Sequence, residues 1–220
     1  MAPKNNIHVV SSHWNEPLEW LDKTGLTYSV CDKLDNPRYK GTGDCDTEVN
    51  RGNECSSYLQ YITTHYDDLP QRVAFVHGHD KAWHQKQSMS KTLKCAATSP
   101  RPFQTLNGTV INDSAWQKAI PLFKKQFPEF AENKDWMALI DVGNSDRVIS
   151  DCCAQFLVDA SRIQRLPLKA WESLHQEVIR DDDGSTRSDK CYALERMWSP
   201  LFGMPALDPN PMASYACTSD

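Results

Sequence analysis

The sequence Val73-Ala74-Phe75-Val76-His77-Gly78-His79-Asp80 joins an apolar run directly to a polar cluster. Four apolar residues without alternation are typical of a strand that is buried on both faces, as in the middle of a parallel sheet. Open α/β sheets place their ligands in the crevice outside the carboxyl ends of such strands. This stretch therefore predicts an α/β protein with a ligand site at the end of this strand.

The rest of the chain alternates short apolar runs with helical patterns, which predicts a mainly parallel central sheet flanked by helices. A long loop is expected over 32–52, and the polar stretch 86–113 predicts an extended surface segment or lid. Helices are expected from 54 to 66, from about Ser114, from Pro167 and around Leu194–Leu201. The further predicted strands are 7–10, 27–31, 137–140 and 156–158.

Length and composition limit the classes of protein to which the chain can belong. The chain has 220 residues, 40% hydrophobic and 24% charged, which predicts one globular domain over 1–220 with an irregular tail from about residue 205. A net charge of -5 without a basic cluster argues against nucleic-acid binding. No apolar run is long enough to predict a membrane span.

Localisation and cysteine chemistry are also predicted from composition. The first residues lack the apolar core of a signal peptide, so a cytoplasmic location is expected, and a secretory lumen only if a targeting segment has been removed. The eight cysteines include no Cys-x-x-Cys pair. A chain of this size can bury a core large enough to fold without a disulfide scaffold.

The densest chemical cluster follows the strand 73–76. His77, His79 and Asp80, with Trp83-His84 just beyond, combine imidazole and carboxylate groups that suit divalent metals such as Mn²⁺ or Zn²⁺. The simpler alternative is that one histidine packs in the core and the others are solvated. The pattern predicts a functional site more strongly than it predicts ordinary packing, although it falls short of a full metal-binding signature.

Polar residues also follow the first strand. In doubly wound sheets the first loop commonly receives the base or the phosphates of a nucleotide. The alternative is an ordinary capped turn between a strand and a helix. The residues concerned are Ser11, Ser12, His13, Asn15 and Glu16.

Three further positions have both a functional and a structural interpretation. Arg51 precedes a predicted helix, where it would help backbone N–H groups to bind an anion, although capping explains the same residues. Asp44-Cys45-Asp46 has the Asp-x-Asp spacing of diphosphate-binding metal sites, but a solvated acidic turn is favoured. Glu195 is either a salt-bridged surface carboxylate or a general base at a pocket edge.

Several segments resemble, in their order, a largely fungal family of unassigned function. That family is related to a small glycosyltransferase domain that large algal viruses use to glycosylate their capsid protein. The resemblance covers roughly residues 7 to 203 and is specific as an ordered set. The segments include His13-Trp14-Asn15-Glu16, Phe75-Val76-His77-Gly78-His79, Cys153-Ala154-Gln155-Phe156 and Leu194-Glu195-Arg196-Met197-Trp198.

The resemblance implies a GT-A type fold that takes a nucleotide-diphosphate sugar, with UDP favoured, and uses Mn²⁺ or Mg²⁺. The sugar would pass to a hydroxyl of a glycan or glycoprotein. Asp80, with His79 and His77, would replace the usual Asp-x-Asp, and Glu195 would be the base. Trp83 would stack on a sugar ring or simply pack. Ser11, Asn15 and Glu16 would lie near the nucleotide.

Two alternatives belong to other classes. A metal-dependent hydrolase would use His77, His79, Asp80 and His84, although the spacing of these residues differs from that of the metallo-β-lactamase kind. A catalytically inactive module would keep the fold and bind glycans or nucleotides without turnover. The hydrolase predicts tightly bound metal, whereas the module predicts binding without product.

Overall fold

The computed structural model describes residues 7–33, 43, 45–47, 50–83, 85–108, 110–111, 118–140, 142, 148, 150–151, 154–180 and 189–206. The strands are β1 Ile7–His13, β2 Thr27–Asp32, β3 Arg72–His77, β4 Phe103–Thr105, β5 Val110–Ile111, β6 Ser150–Asp151 and β7 Phe156–Asp159. The helices are α1 Glu19–Asp22, α2 Asn53–Thr64, α3 Met89–Ala96, α4 Ala119–Gln126, α5 Pro128–Glu132, α6 Lys134–Leu139, α7 Ala160–Ile163, α8 Leu168–Ile179 and α9 Asp189–Leu201.

The main sheet has five strands in the order β2-β1-β3-β7-β4, and β5 pairs with β6 in a separate two-stranded sheet. Strand β1 is parallel to β2 and β3, whereas β7 is antiparallel to both β3 and β4. The α/β class is confirmed, and the sheet is mixed, not purely parallel: β2, β1, β3 and β4 run in one direction, and β7 runs against them. Alternation of strands and helices along a sequence does not report strand direction, since an antiparallel neighbour needs no crossover helix.

Both faces of the main sheet are covered, which explains the unbroken apolar run of β3. Phe75 packs in one core cluster together with Tyr58 of α2, whereas Ala74 and Val76 pack in a second cluster with Trp20. Successive side chains of a strand point to opposite faces, so a strand between two helical layers needs apolar residues at every position. The predicted buried strand at 73–76 is confirmed.

Two sequence predictions are wrong. Residues 137–140 were expected to form a strand, but Met137–Leu139 end helix α6, because the side chain of Asn133 caps that helix by accepting the N–H groups of Asp135 and Trp136. The stretch 86–113 is not simply an extended segment, since it contains α3 and β4. Ser88 caps α3 by accepting the N–H of Lys91.

Several terminal and loop predictions fall on residues that the structure does not describe. The expected helix start at Ser114 lies outside the described residues, and the observed helix α4 begins at Ala119. The irregular tail is described only as far as residue 206. Within the described part of the chain, no helix has both the length and the apolar character that a membrane crossing requires.

Candidate functional site

The site lies where three adjacent parallel strands end. The register pairs His13 of β1 with Asp32 of β2, and Ser12 of β1 with His77 of β3. The carboxyl ends of these strands therefore lie side by side at one edge of the sheet. Helix α2 begins beside this edge, since the side chain of Lys33, just after β2, reaches the carbonyl of Asn53.

Polar groups from these strand ends and from the start of α2 surround a pocket of about 270 Å³, here called the strand-end pocket. Five predicted site residues line it: Ser12, His13, Glu16, His77 and His79. Five further lining residues were not among the predicted site residues: Trp14, Lys33, Asn50, Asn53 and Glu54.

Glu16 is held by the turn that follows β1. Its Oε2 accepts the backbone N–H groups of Trp14 and Asn15, each at 2.9 Å. Burial alone would raise the pKa of Glu16, but these two N–H groups and the charge of His13 bring it below its ordinary value. Gly78 makes room for the carboxylate, because a Cβ at that position would lie 2.8 Å from Oε2 of Glu16.

His13 is buried beside the pocket and is fixed through both ring nitrogens. Its Nδ1 lies 2.5 Å from Oδ1 of Asp32, and its Nε2 lies 3.0 Å from the backbone carbonyl oxygen of Glu16. A carbonyl oxygen only accepts, so Nε2 carries a hydrogen. His13 thus ties β1, β2 and the following turn together, and its ring orients the residues that line the pocket.

Lys33 contributes a buried positive charge. The residue is 2% exposed. Its ammonium group donates to the carbonyl of Asn53 at 2.9 Å and to the hydroxyls of Ser56 and Ser57 at 2.7 and 2.9 Å. These three bonds aim the ammonium group at the first turn of α2. Together with the positive end of that helix, it makes this wall of the pocket favourable to an anion.

Glu54 and His77 face each other across the pocket, with 4.0 Å between Oε1 and Nε2. Burial raises the pKa of Glu54, and the charges of Lys33 and His79 offset this rise only in part. Burial and the neighbouring His79 lower the pKa of His77 to about 3. The ring of His77 is therefore neutral at physiological pH, which is the form in which an imidazole binds a metal ion.

The predicted metal set is not assembled in this geometry. Asp80 turns away to the start of α3, where its Oδ1 accepts the N–H of Ser90 at 2.8 Å. Among the described residues, the one group of three metal-binding atoms within 4.8 Å of one another is Glu54 with Cys55 and Cys191. Those cysteines form a disulfide, so they offer no thiolate. His77, His79 and Asp80 do not converge on one point.

Other predicted residues have varied positions. Ser11 is buried and donates to the carbonyl of His77 at 3.4 Å, so it ties β1 to β3. Asn15 is exposed in the turn beside the pocket. Arg51 lines a different cavity and donates to the carbonyl of Ile179 at 3.3 Å. Trp83 is 91% exposed, and His84 lies outside the described residues.

Glu195 lies on α9, close enough to Glu54 for the two carboxylates to interact. Burial, together with the negative charge of Glu54, raises the pKa of Glu195 to about 7. Glu195 is not among the described residues that line the strand-end pocket. Its role as a base remains a prediction.

Disulfides hold the frame of the site, although a chain of this size does not need them in order to fold. Cys31–Cys45 joins the end of β2 to a residue 14 positions further along the chain. Cys55–Cys191 joins the first turn of α2 to α9. The second bond links the helices that carry Glu54 and Glu195. The acidic turn sequence is also structural in part, since Asp46 Oδ1 accepts the N–H of Asp32 at 3.0 Å.

Comparison with known proteins places the chain in a family. Residues 8–219 match the family described as a protein of unknown function, DUF3431, and the chain belongs to that family. No curated protein and no solved structure matches the chain. The resemblance to a family of unassigned function is thus confirmed.

Proposed function

We propose that this protein is a GT-A like glycosyltransferase that binds a nucleotide-diphosphate sugar, with UDP favoured, in the strand-end pocket. The sugar would be transferred to a hydroxyl of a glycan or glycoprotein. The observation that carries the proposal is a polar pocket at the carboxyl ends of three adjacent parallel strands, against the N-terminus of a twelve-residue helix. Such crevices are where open α/β sheets bind nucleotides.

The charges of the pocket suit a diphosphate that is bound together with a cation. Lys33 and the first turn of α2 favour the phosphate oxygens. Glu16 and Glu54 are carboxylates on the same pocket, and they would repel a diphosphate unless a divalent ion lay between them. This mixture of charges is expected where protein and nucleotide share a metal.

Glu54 and His77 are the residues with the chemistry and spacing to hold that ion. Oε1 of Glu54 and Nε2 of His77, which lie 4.0 Å apart, would be the two protein ligands of such an ion. Mn²⁺ or Mg²⁺ bound there supplies a Lewis acid for the leaving diphosphate. Asp80 has no part in this set, because its carboxylate caps α3.

If the transfer inverts the configuration of the anomeric carbon, it needs one base. The oxygen of the acceptor hydroxyl forms a bond to the anomeric carbon, and the bond from that carbon to the diphosphate oxygen breaks. The nucleoside diphosphate leaves with the electron pair, and the hydroxyl proton passes to a carboxylate. Glu195 is the proposed base, since it lies close to Glu54 of the pocket lining and a pKa of about 7 suits proton transfer near neutral pH.

Neither alternative class is favoured by a specific observation. The hydrolase requires four ligands, of which His77 and His79 line the pocket, Asp80 caps a helix and His84 is not described. The inactive module shares the pocket and differs only in forming no product. Release of free sugar or transfer to an acceptor separates it from the transferase.

We also propose an oxidising compartment as the place of action. Disulfides persist in the secretory lumen and outside cells and are rare in the cytosol. The described residues include two complete disulfides, and Cys95 is also disulfide-bonded. This proposal replaces the cytoplasmic expectation and agrees with a glycoprotein acceptor.

The test is thermal unfolding with UDP, GDP and their sugar derivatives, each with and without Mn²⁺. A ligand at about 100 times its dissociation constant stabilises a fold by about 2.7 kcal/mol, which raises the melting temperature of a domain of this size by roughly 5–10 °C. The shift should depend on Mn²⁺ and be lost in Glu54→Gln. Glu132→Gln, an exposed carboxylate of α5, is the matched control. No shift with any nucleotide would overturn the proposal.

A further inference from the structure

A second, larger cavity lies between α2 and α8. It has a volume of about 720 Å³, within the range of about 300–1,000 Å³ usual for small-molecule sites. We call it the α2–α8 cavity. Its residues are distinct from those of the strand-end pocket, and the predicted nucleotide residue Arg51 lies here.

Both helices present a polar stripe to this cavity. On α2 the lining residues are Gln60, Thr63 and Thr64, spaced i, i+3 and i+4. On α8 they include His175 and Gln176, with Ile179 one turn further on. Where neighbouring helices simply pack, the facing stripe is normally apolar. Amides and hydroxyls on both walls supply hydrogen-bond donors and acceptors together.

Two buried polar atoms of the cavity lining have no hydrogen-bond partner within the described structure. They are Nε2 of His175, a residue 8% exposed, and Oγ1 of Thr47, a residue 7% exposed. Buried polar groups are nearly always hydrogen-bonded, so two such atoms among the lining residues, one on α8 and one after β2, call for an explanation. Both atoms are covered by protein atoms, so a ligand in the cavity would reach them after a small shift of the lining.

The wall that carries Thr47 is anchored. The N–H of Thr47 donates to the carbonyl of Asp32 at 2.9 Å, and Thr47 also forms a parallel β-bridge with Lys33. The disulfide Cys31–Cys45 fixes the chain two residues earlier. A wall held in this way is organised before binding, which lowers the entropic cost of taking a ligand.

The charges of the described lining residues disfavour a phosphate as the natural occupant. Among the described lining residues, the guanidinium of Arg51 is accompanied by the carboxylates of Asp46 and Glu172. Burial, together with the nearby charge of Lys33, lowers the pKa of His175 to about 4, so this ring is neutral. The lining therefore carries no excess of positive charge.

We infer that the α2–α8 cavity is a binding site for a neutral carbohydrate. A sugar hydroxyl both donates and accepts, which matches the paired amides and hydroxyls of the two helices. Asp46, Glu172 and Arg51 at the same cavity add charge-assisted hydrogen bonds to vicinal hydroxyls. This site goes beyond the proposed function, since it needs neither a nucleotide nor a metal.

Saturation-transfer NMR tests the inference directly with four soluble hexasaccharides: maltohexaose, cellohexaose, chitohexaose and mannohexaose. The samples contain no nucleotide and no metal, so the result is independent of the strand-end pocket. At least one sugar should give a saturation-transfer signal, and the double variant Gln60→Ala/Gln176→Ala should weaken its binding roughly tenfold. Gln71→Ala removes an exposed glutamine that is not among the described residues that line the cavity, and it should leave binding unchanged.

Three results would overturn the inference. One is the absence of a signal from all four sugars at millimolar concentration. Another is binding that the double variant does not weaken. The third is tight binding of inorganic pyrophosphate that the same double variant abolishes, which would make the cavity an anion site. Circular dichroism of each variant verifies that the fold is retained.

Discussion

Substitution of Gly52 by alanine tests the most crowded contact at the start of α2. Gly52 caps that helix with φ of +66°, a left-handed conformation. An alanine in this conformation destabilises the fold by about 1–2 kcal/mol, because its Cβ crowds the following carbonyl. Its Cβ would also lie 2.1 Å from Cγ1 of Val178 on α8, and overpacking of this kind costs about 1–3 kcal/mol. The expected loss is about 3 kcal/mol.

Gly25→Ala is the matched control for the conformational cost of placing an alanine at a positive φ. Its φ is +69°, yet a Cβ built there meets no atom of the structure within 4 Å. Gly25→Ala should therefore cost only the conformational part, about 1–2 kcal/mol. Urea unfolding at pH 7 gives the free energy of unfolding of each variant, and the difference between the two isolates the contact with Val178.

A double-mutant cycle separates the contact from any other cause. Val178→Ala in the Gly52→Ala background should recover part of the loss, with a coupling of about 1 kcal/mol or more. If Gly52→Ala costs no more than Gly25→Ala, or if the two positions do not couple, the packing of α2 against α8 described here is wrong. The geometry of both cavities would then need revision.

Three more outcomes are expected. Because the pKa of His175 is about 4 in the folded protein, the unfolded chain takes up a proton at this residue first as the pH falls. The free energy of unfolding, measured by urea titration, should therefore fall by about 3 kcal/mol relative to His175→Gln between about pH 6.5 and about pH 4. A difference between the two proteins that does not change with pH would contradict this. Asp80→Ala should remove about 1 kcal/mol of stabilisation at the start of α3 and so lower the melting temperature. The variant should still show any Mn²⁺-dependent rise in melting temperature on nucleotide binding. Loss of that rise would indicate that Asp80 is a metal ligand. Replacement of Cys55 and Cys191 together by alanine should cost roughly 2–5 kcal/mol in urea unfolding, and an unchanged midpoint would argue against the disulfide.

Much of the fold follows from local patterns in the sequence. The strand at 73–76, the helix expected from 54 to 66 and the helix that follows Pro167 are all present. The run 137–140 failed because four apolar residues fit a strand or a helix end equally well. The cap residue Asn133 was the signal that distinguished them. Strand direction had no local signal at all.

The residues of the candidate site were likewise predictable only where a local sequence pattern marked them. His77 and His79 were predicted because they follow a recognisable strand. Lys33 and Glu54 were missed as site residues, because their place in the pocket depends on how α2 lies against the ends of β1 and β2. Asp80 was predicted from its position beside the histidines, which did not reveal that its carboxylate accepts the N–H of Ser90 at the start of α3.

Imidazole resonances offer the most direct test of the strand-end pocket. UDP with Mg²⁺, a diamagnetic ion, would be titrated into ¹⁵N-labelled protein, with each histidine assigned by a single His→Gln variant. His77 and His79 should shift on binding, whereas His175 in the α2–α8 cavity should not. A shift confined to His175, or no shift of any histidine at saturating nucleotide, would contradict the assignment of the strand-end pocket as the nucleotide site.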